Sequence, residues 1–427
     1  MSEQTEGKQR GFQFYYGWVI VFCCFLLMGI AFVSAYSVNS VFVKPVTEAL
    51  DVPRGDFSFY LTISNLATLA IAPFLGIMMG KNAKVTNIVC ILVLASAYIA
   101  ISFATNLWQI YGIAIFRGMG YMGACTMATV VYITNWFGIK GVKHKGIATS
   151  IAMMGASVGG FVMLPLISKI IVNYGWRWGY RAMGLMLIVI LIPIILSLVS
   201  NNPAIRGVAV PRQDEKADAP VPQPTGMTVA EARRTSSLWF LVAAMVCIAF
   251  AASGLAGHIV AYFSDLGFTA EQAAKIQSRA LLFCIVGQLV IGIVHDKVNA
   301  RLAVLIGTLC LTIAYVCALS MSVSTKMVFL YIAFYGMGTS VGLLAPPMMI
   351  SYIFGNRDFG PIVGYTTAAN GIGSAIGPLV AGKIFDISGS YQVAWLFIIS
   401  AAALCTLFFM LASRKKYSDS NAKTLTV

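Results

Sequence analysis

Few side chains in this chain have both the chemistry and the position to act on a ligand. Arg117 sits in FRGMGYMG, Phe116 to Gly123, inside an otherwise apolar run, and Arg279 and His258 interrupt two others. A guanidinium presents a planar fork of donors that grips a carboxylate through two hydrogen bonds. An imidazole exchanges a proton in the physiological range. Asn39, Asn65, Gln288 and Asn370, with Tyr36 and Tyr121, are the neutral polar groups in comparable runs. All 15 acidic residues lie in tails, loops or run ends. The arginines therefore have no fixed counter-ion, and an anionic substrate would supply the missing charge.

These residues must be positioned by helices in a bilayer. Hydrophobic residues make up 59% of the 427 and charged residues 10%, against about 25% charged in soluble domains. Apolar runs of membrane-crossing length recur along the chain. They predict an all-α integral membrane protein with twelve spans, at 16–38, 57–79, 86–104, 108–134, 146–168, 179–200, 238–262, 273–294, 302–321, 328–353, 362–384 and 392–412. Arg117 then lies roughly 13 Å into span 4, near the middle of a ~30 Å core, and Arg279 about 10 Å into span 8, within snorkelling reach. An arginine at mid-span costs about 2.5–3.5 kcal/mol on insertion scales, so it is expected to face a cavity or a partner.

The net charge of +14 does not point to nucleic acid, because the lysines and arginines concentrate in loops on the side shared by both termini. That asymmetry predicts cytoplasmic termini, and the seven tryptophans sit near span ends, as interfacial rings do. The polar N-terminal tail carries no cleavage signal and is expected to stay. All nine cysteines fall within spans and lack metal-ligand spacing. No phosphate loop, nucleophile–base pair or metal cluster is evident, so neither an enzyme nor a cofactor is expected.

Residues 201–237 form the one long polar stretch between spans, and their PRQDEKADAPVPQPTG portion reads as a linker. This divides the chain into a bundle over 1–200, a cytoplasmic linker over 201–237, a bundle over 238–412 and a tail over 413–427. A shift of 218 residues lays FRGMG (Phe116 to Gly120) over FYGMG (Phe334 to Gly338), and GASVGG (Gly155 to Gly160) over GSAIGP (Gly373 to Pro378). The halves are thus a repeat, in which Tyr335 replaces Arg117. The small-residue patterns are expected to pack helices, and Gly118, Gly120 and Gly123 to thin span 4 and leave space beside the charge.

With this repeat, the motif GIVHDKVNAR (Gly292, Asp296, Lys297, Arg301) resembles the loop signature of the major facilitator superfamily. That resemblance implies two pseudo-symmetric six-helix bundles and a gating role for the motif, with Asp296 pairing to His144, Lys145 or the start of span 5. The matching loop after span 2 has Gly80 in place of the aspartate. YYGWVIV (Tyr15 to Val21), GWRWGYR (Gly175 to Arg181) and TVAEARRTSSLWF (Thr228 to Phe240) are similar to segments of bacterial oxalate/formate and monocarboxylate carriers. Gln288 and Asn370 fall where oxalate carriers place cations, which argues for a monovalent or bulkier amphipathic anion.

The expectation is a monomeric, multi-pass carrier of the inner (plasma) membrane. It would move a small organic anion, a monocarboxylate, by proton symport or anion exchange. Arg117 would be the main anchor, Arg279 an auxiliary one and His258 the proton site. Asn39, Tyr36, Tyr121, Gln288 and Asn370 would line the cavity. An exporter of lipophilic compounds and a non-transporting membrane sensor are the alternatives.

Overall fold

A computed structural model describes residues 15–137, 145–201, 226–321, 326–355, 357–415 and 417. Most of the predicted linker and both tails lie outside them. A helix underlies each of the twelve predicted spans, and among the described residues eight helices are long and apolar enough to cross a membrane, nine with the bent helix over 327–354. One helix, Arg54–Ile101, is 48 residues long, about 72 Å and more than twice the hydrocarbon thickness. It breaks at Asn82, whose backbone leaves the helical region at φ −151° and ψ 92°. It therefore carries spans 2 and 3 in series with a sharp corner where a loop was expected. Asn82 Oδ1 accepts from the Val85 amide, and Asn299 does the same for Leu302 at the start of span 9. The third span of each half thus begins on a capping asparagine.

Span 1 runs over Gly17–Leu50, well past its predicted end. It contains a π-type turn at Met28–Phe32 and an interruption at Ser37 and Val38. Its last segment, Asn39–Leu50, stays helical despite Pro45 because it packs against span 7 (Ser236–Asp265) of the other half. Span 4 is Leu107–Ala124 and Thr126–Phe137, bent at Cys125. Spans 5 and 6 are Lys145–Tyr174 and Trp176–Leu198, joined by Gly175 alone at φ 84°, a conformation that favours glycine. Spans 8 to 12 are Ala270–Lys297, Ala300–Ser320, Met327–Phe354, Phe359–Ser388 and Gln392–Ala412.

The repeat reappears as packing. A Cβ on Gly159 would stand 2.1 Å from the Gly29 carbonyl, fixing span 5 on span 1, and one on Gly377 would stand 2.5 Å from the Phe250 carbonyl, fixing span 11 on span 7. Both are close-backbone contacts of small-residue motifs, as expected where lipid gives helices no hydrophobic reason to associate. Between the halves, span 2 meets span 11, span 5 meets span 8, and the end of span 1 meets span 7.

Candidate functional site

The glycines around Arg117 set the arginine's place. Cβ atoms on Gly118, Gly120 and Gly123 would lie 2.1 Å from the Ser64 carbonyl, 2.7 Å from the Cys90 carbonyl and 2.3 Å from Cys90 Sγ. This corrects the expectation that they leave space for a substrate, because spans 2 and 3 fill it. Span 4 is held so close to span 2 that Arg117 reaches between spans 1 and 2, where it is only 3% exposed.

Arg117 Nη1 donates to Ser64 Oγ at 2.7 Å, and Nη2 donates to the Ala35 carbonyl and, at 3.4 Å, to Asn39 Oδ1. The interruption of span 1 at Ser37 and Val38 leaves carbonyls at a helix end without their usual donors. Asn39 fills the same gap, donating to the Ala35 carbonyl at 2.6 Å and the Tyr36 carbonyl at 3.3 Å, while accepting from the Tyr60 hydroxyl at 3.0 Å. The guanidinium carbon stands 5.5 Å from the Tyr60 ring centre and 5.9 Å from that of Tyr98. Arg117 Nε–H is buried without a partner among the described residues. Every described partner of this cation is neutral.

Tyr121, one turn along span 4, and Tyr36 are half-buried. Phe32 joins them, its ring centre 5.6 Å from Tyr36 and 6.2 Å from Tyr121. In the second half Tyr335 is buried and stacks on Tyr331, whose hydroxyl donates to Gln277 at 2.6 Å. The repeat position of Arg117 is therefore occupied by an aromatic stack. Gln288 and Asn370 are half-buried and make no hydrogen bond to a described residue. Gln288 lies two turns from Leu281, on the face of span 8 that meets Gly160 of span 5.

Arg279 is not brought to this group. It is exposed on the stripe of span 8 that carries Leu282, Val286, Leu289 and Ile293, all exposed and apolar. This fits the snorkelling position and not the auxiliary anchor. In the loop motif, Lys297 and Arg301 are exposed, and nothing lies within 4 Å of a Cβ on Gly292. The Asp296 side chain, His144 and the Lys145 side chain lie outside the described residues.

His258 is fully buried, in a seam that sequence reasoning did not foresee. At the end of the bundle away from the termini, Arg54 of the first half clamps Asp265 of the second through Nη1 at 2.6 Å and Nη2 at 3.1 Å. Its guanidinium also lies 4.0 Å over the Phe385 ring, and Nη1 donates to the Tyr391 hydroxyl at 3.2 Å. Asp386 accepts from the amides of Arg54 and Gly55, both at 2.8 Å, capping span 2 where its own Pro53 gives no side-chain cap. Lys383 pairs with Asp56, and Lys44 with Asp265 at 3.6 Å. Deeper in the seam, Asn65 donates to the Ser374 carbonyl at 3.1 Å and Thr62 to the Ala375 carbonyl. Pro378, inside span 11, lacks the N–H that Ser374 would otherwise receive, so span 2 satisfies the carbonyl from the other half. The sequence signal was a set of opposite charges at span ends on one predicted side, and only the fold pairs them.

Comparison with known proteins adds the following. The family model described as Major Facilitator Superfamily matches residues 20–350 and 265–426. Monocarboxylate transporter 12 of Homo sapiens is 22% identical over 423 residues, covering 89% of this chain and 77% of its own length. Monocarboxylate transporter 4 of Gallus gallus is 22% identical over 407 residues, covering 93% and 82%. A bacterial homologue of the human lysosomal transporter Spinster, solved inward-facing and occupied, superposes with a TM-score of 0.70 at 15% identity over 94% of this chain and 97% of its own. The nucleoside transporter NupG gives 0.71 at 13% identity over 94% and 100%.

Proposed function

The chain belongs to the Major Facilitator Superfamily, and from that premise we propose that this multi-pass membrane transporter carries a small organic anion, a monocarboxylate, by alternating access. The observation that carries the reading is Arg117, a buried cation with only neutral described partners and an Nε–H that none of the described residues meets. A carboxylate entering beside Tyr36 and Tyr121 supplies the charge and the missing acceptor. The likeness to monocarboxylate transporters supports the same class. Gln288 and Asn370 offer the second half's polar contacts without charge, which favours one carboxylate over two. Phe32 and the tyrosines offer walls for an apolar body.

We place both termini on the cytoplasmic side of the plasma membrane, on the charge asymmetry of the loops. The seam at Arg54 and Asp265 then lies on the outer side, and its closure corresponds to a carrier facing inward. The chain works as a monomer with bundles over 1–200 and 238–412, a linker over 201–237 and a tail over 413–427. Proton symport and anion exchange are the two driving modes consistent with His258 and with acids that lie only toward the ends of the spans.

Proteoliposomes loaded with and without a counter-anion test this reading, using a panel of mono- and dicarboxylates with and without a pH gradient. Uptake of a monocarboxylate is expected. Flux of lipophilic cations alone would favour an exporter, and binding without flux would favour a sensor.

A further inference from the structure

The seam around Arg54 joins the halves through one chain of contacts, and a single titratable ring sits at its inner end. His258 Nε2 lies 2.9 Å from the Pro378 carbonyl and 3.1 Å from Ser58 Oγ. A carbonyl only accepts, so Nε2 carries the proton, and Nδ1, 2.9 Å from the Tyr391 hydroxyl, is the acceptor. The hydroxyl thus donates to His258 and accepts from Arg54 Nη1. Arg54 in turn holds Asp265, and its own amide is capped by Asp386. Contacts from span 2 of one half and spans 7, 11 and 12 of the other converge here, with Gly55 and Gly382 in backbone contact.

We propose that this network is the outer gate of the carrier and that His258 is the proton switch that releases it. Protonating Nδ1 turns the acceptor into a donor aimed at the Tyr391 hydroxyl proton. The hydroxyl must then rotate away, toward Arg54, whose guanidinium already donates to the same oxygen. The ring becomes a buried cation one hydroxyl away from the half-buried Arg54 guanidinium. The closed gate thus holds the neutral ring, and by linkage acid shifts the equilibrium toward the open gate.

The charged and titratable groups on the packed elements include Arg54, Asp56 and Tyr60 on span 2, Tyr262 and Asp265 on span 7, Lys383 and Asp386 on span 11, Tyr391 on span 12, Lys44 and the exposed Glu48 on span 1, Glu271 and Lys275 on span 8, Tyr315 on span 9 and Tyr331 on span 10. Tyr262 is engaged with the Ala318 carbonyl at 2.8 Å, and Glu271 with Lys275 at the exposed surface at 2.6 Å. Tyr331 bonds Gln277 on its own side of the bundle. Asp265 and Asp386 are held by Arg54 and by two amides. That leaves His258 as the buried group whose hydrogen-bond roles reverse on gaining a proton.

The inference rests on the carrier reading for its meaning but is tested without transport. Hydrogen exchange of the protein in nanodiscs, corrected for intrinsic rates, reads protection over residues 54–60 and 382–390 at pH ~7.5 and ~5.5. In wild type, protection is expected to fall on the order of ten-fold with acid. His258→Gln should hold protection constant across that range, and Tyr391→Phe, which removes the link and keeps the ring, should lower protection already at pH ~7.5. A step that persists in His258→Gln overturns the proposal, as does a Tyr391→Phe as protected as wild type at pH ~7.5 or a wild type with no step. A carrier that moves no anion would overturn the functional reading while leaving this exchange result to stand or fall separately.

Discussion

Arg117→Gln separates an anion anchor from an arginine that only ties helices together. The structure gives each role its own magnitude. Of the three acceptors of Arg117, the Ala35 carbonyl keeps Asn39 Nδ2 at 2.6 Å and Asn39 Oδ1 keeps the Tyr60 hydroxyl at 3.0 Å. Only Ser64 Oγ loses its described partner, a net loss of about 0.5–1.5 kcal/mol, or about 3 with the charge counted. Removing a buried cation also relieves a desolvation cost of several kcal/mol. Folding stability should therefore change little, and the Tm of the detergent-solubilised protein should stay within a few degrees. Substrate binding loses one partner of a buried charge pair, about 2–5 kcal/mol, which is roughly thirty-fold to several thousand-fold in Kd. Arg117→Lys keeps the charge without the fork and should fall between. Calorimetric Kd, vesicle uptake and Tm are measured on the same preparations. Unchanged affinity and rate in Arg117→Gln would refute the anchor, and so would an unchanged Kd beside a lowered Tm.

Three further outcomes follow from the packing and the caps. Gly159→Leu drives a side chain into the Gly29 carbonyl and should destabilise the first bundle by about 1–3 kcal/mol or more, whereas Gly292→Ala, with nothing within 4 Å, should leave Tm unchanged. Asn65→Leu strands the Ser374 carbonyl, costing the closed seam about 1–3 kcal/mol and speeding hydrogen exchange over 372–380. Before span 7, the Thr228 amide and hydroxyl bond the Glu231 side chain and amide and hold its carboxyl below the ordinary glutamate value. A depressed acid stabilises above its unfolded pKa and loses that contribution as pH falls through the folded one, so exchange at 229–233 should quicken only on strong acidification.

The spans were legible because membrane crossing imposes a length and an apolarity that no other constraint disguises. Corners were less so. Gly80 to Lys84 has the composition of a loop, yet the helix runs to Asn82 because one capping side chain suffices to restart it. Span 1 was ended too early, since VFVKPVTEAL is broken up by Lys44, Pro45, Thr47 and Glu48 and earns its helix from contact with span 7. Arg117 could be placed at depth by counting, and the family could be inferred from the repeat and the loop motif. The face of Arg279 could not be read, because depth along a helix says nothing of rotation about it. The Arg54 seam was hidden for a different reason. Its partners are separated by 211 residues to Asp265 and 332 to Asp386, and charges at span ends read as solvated until the fold closes them on one another.

The two lateral contacts between the bundles are of unlike material. Where span 2 meets span 11, the joint is a row of directional bonds, with Asn65 and Thr62 on carbonyls beside Pro378 and Asp386 on two amides. Where span 5 meets span 8, the contacts include Gly160 against the apolar side chain of Leu281 and one hydroxyl, Ser168, on the Ala270 carbonyl. Directional bonds hold until they break, whereas smooth apolar surfaces creep past each other at small cost. Under the proposed alternating access the rocking would be lopsided, with the span 5 and span 8 side as the hinge line of a door and the span 2 and span 11 side as its free edge.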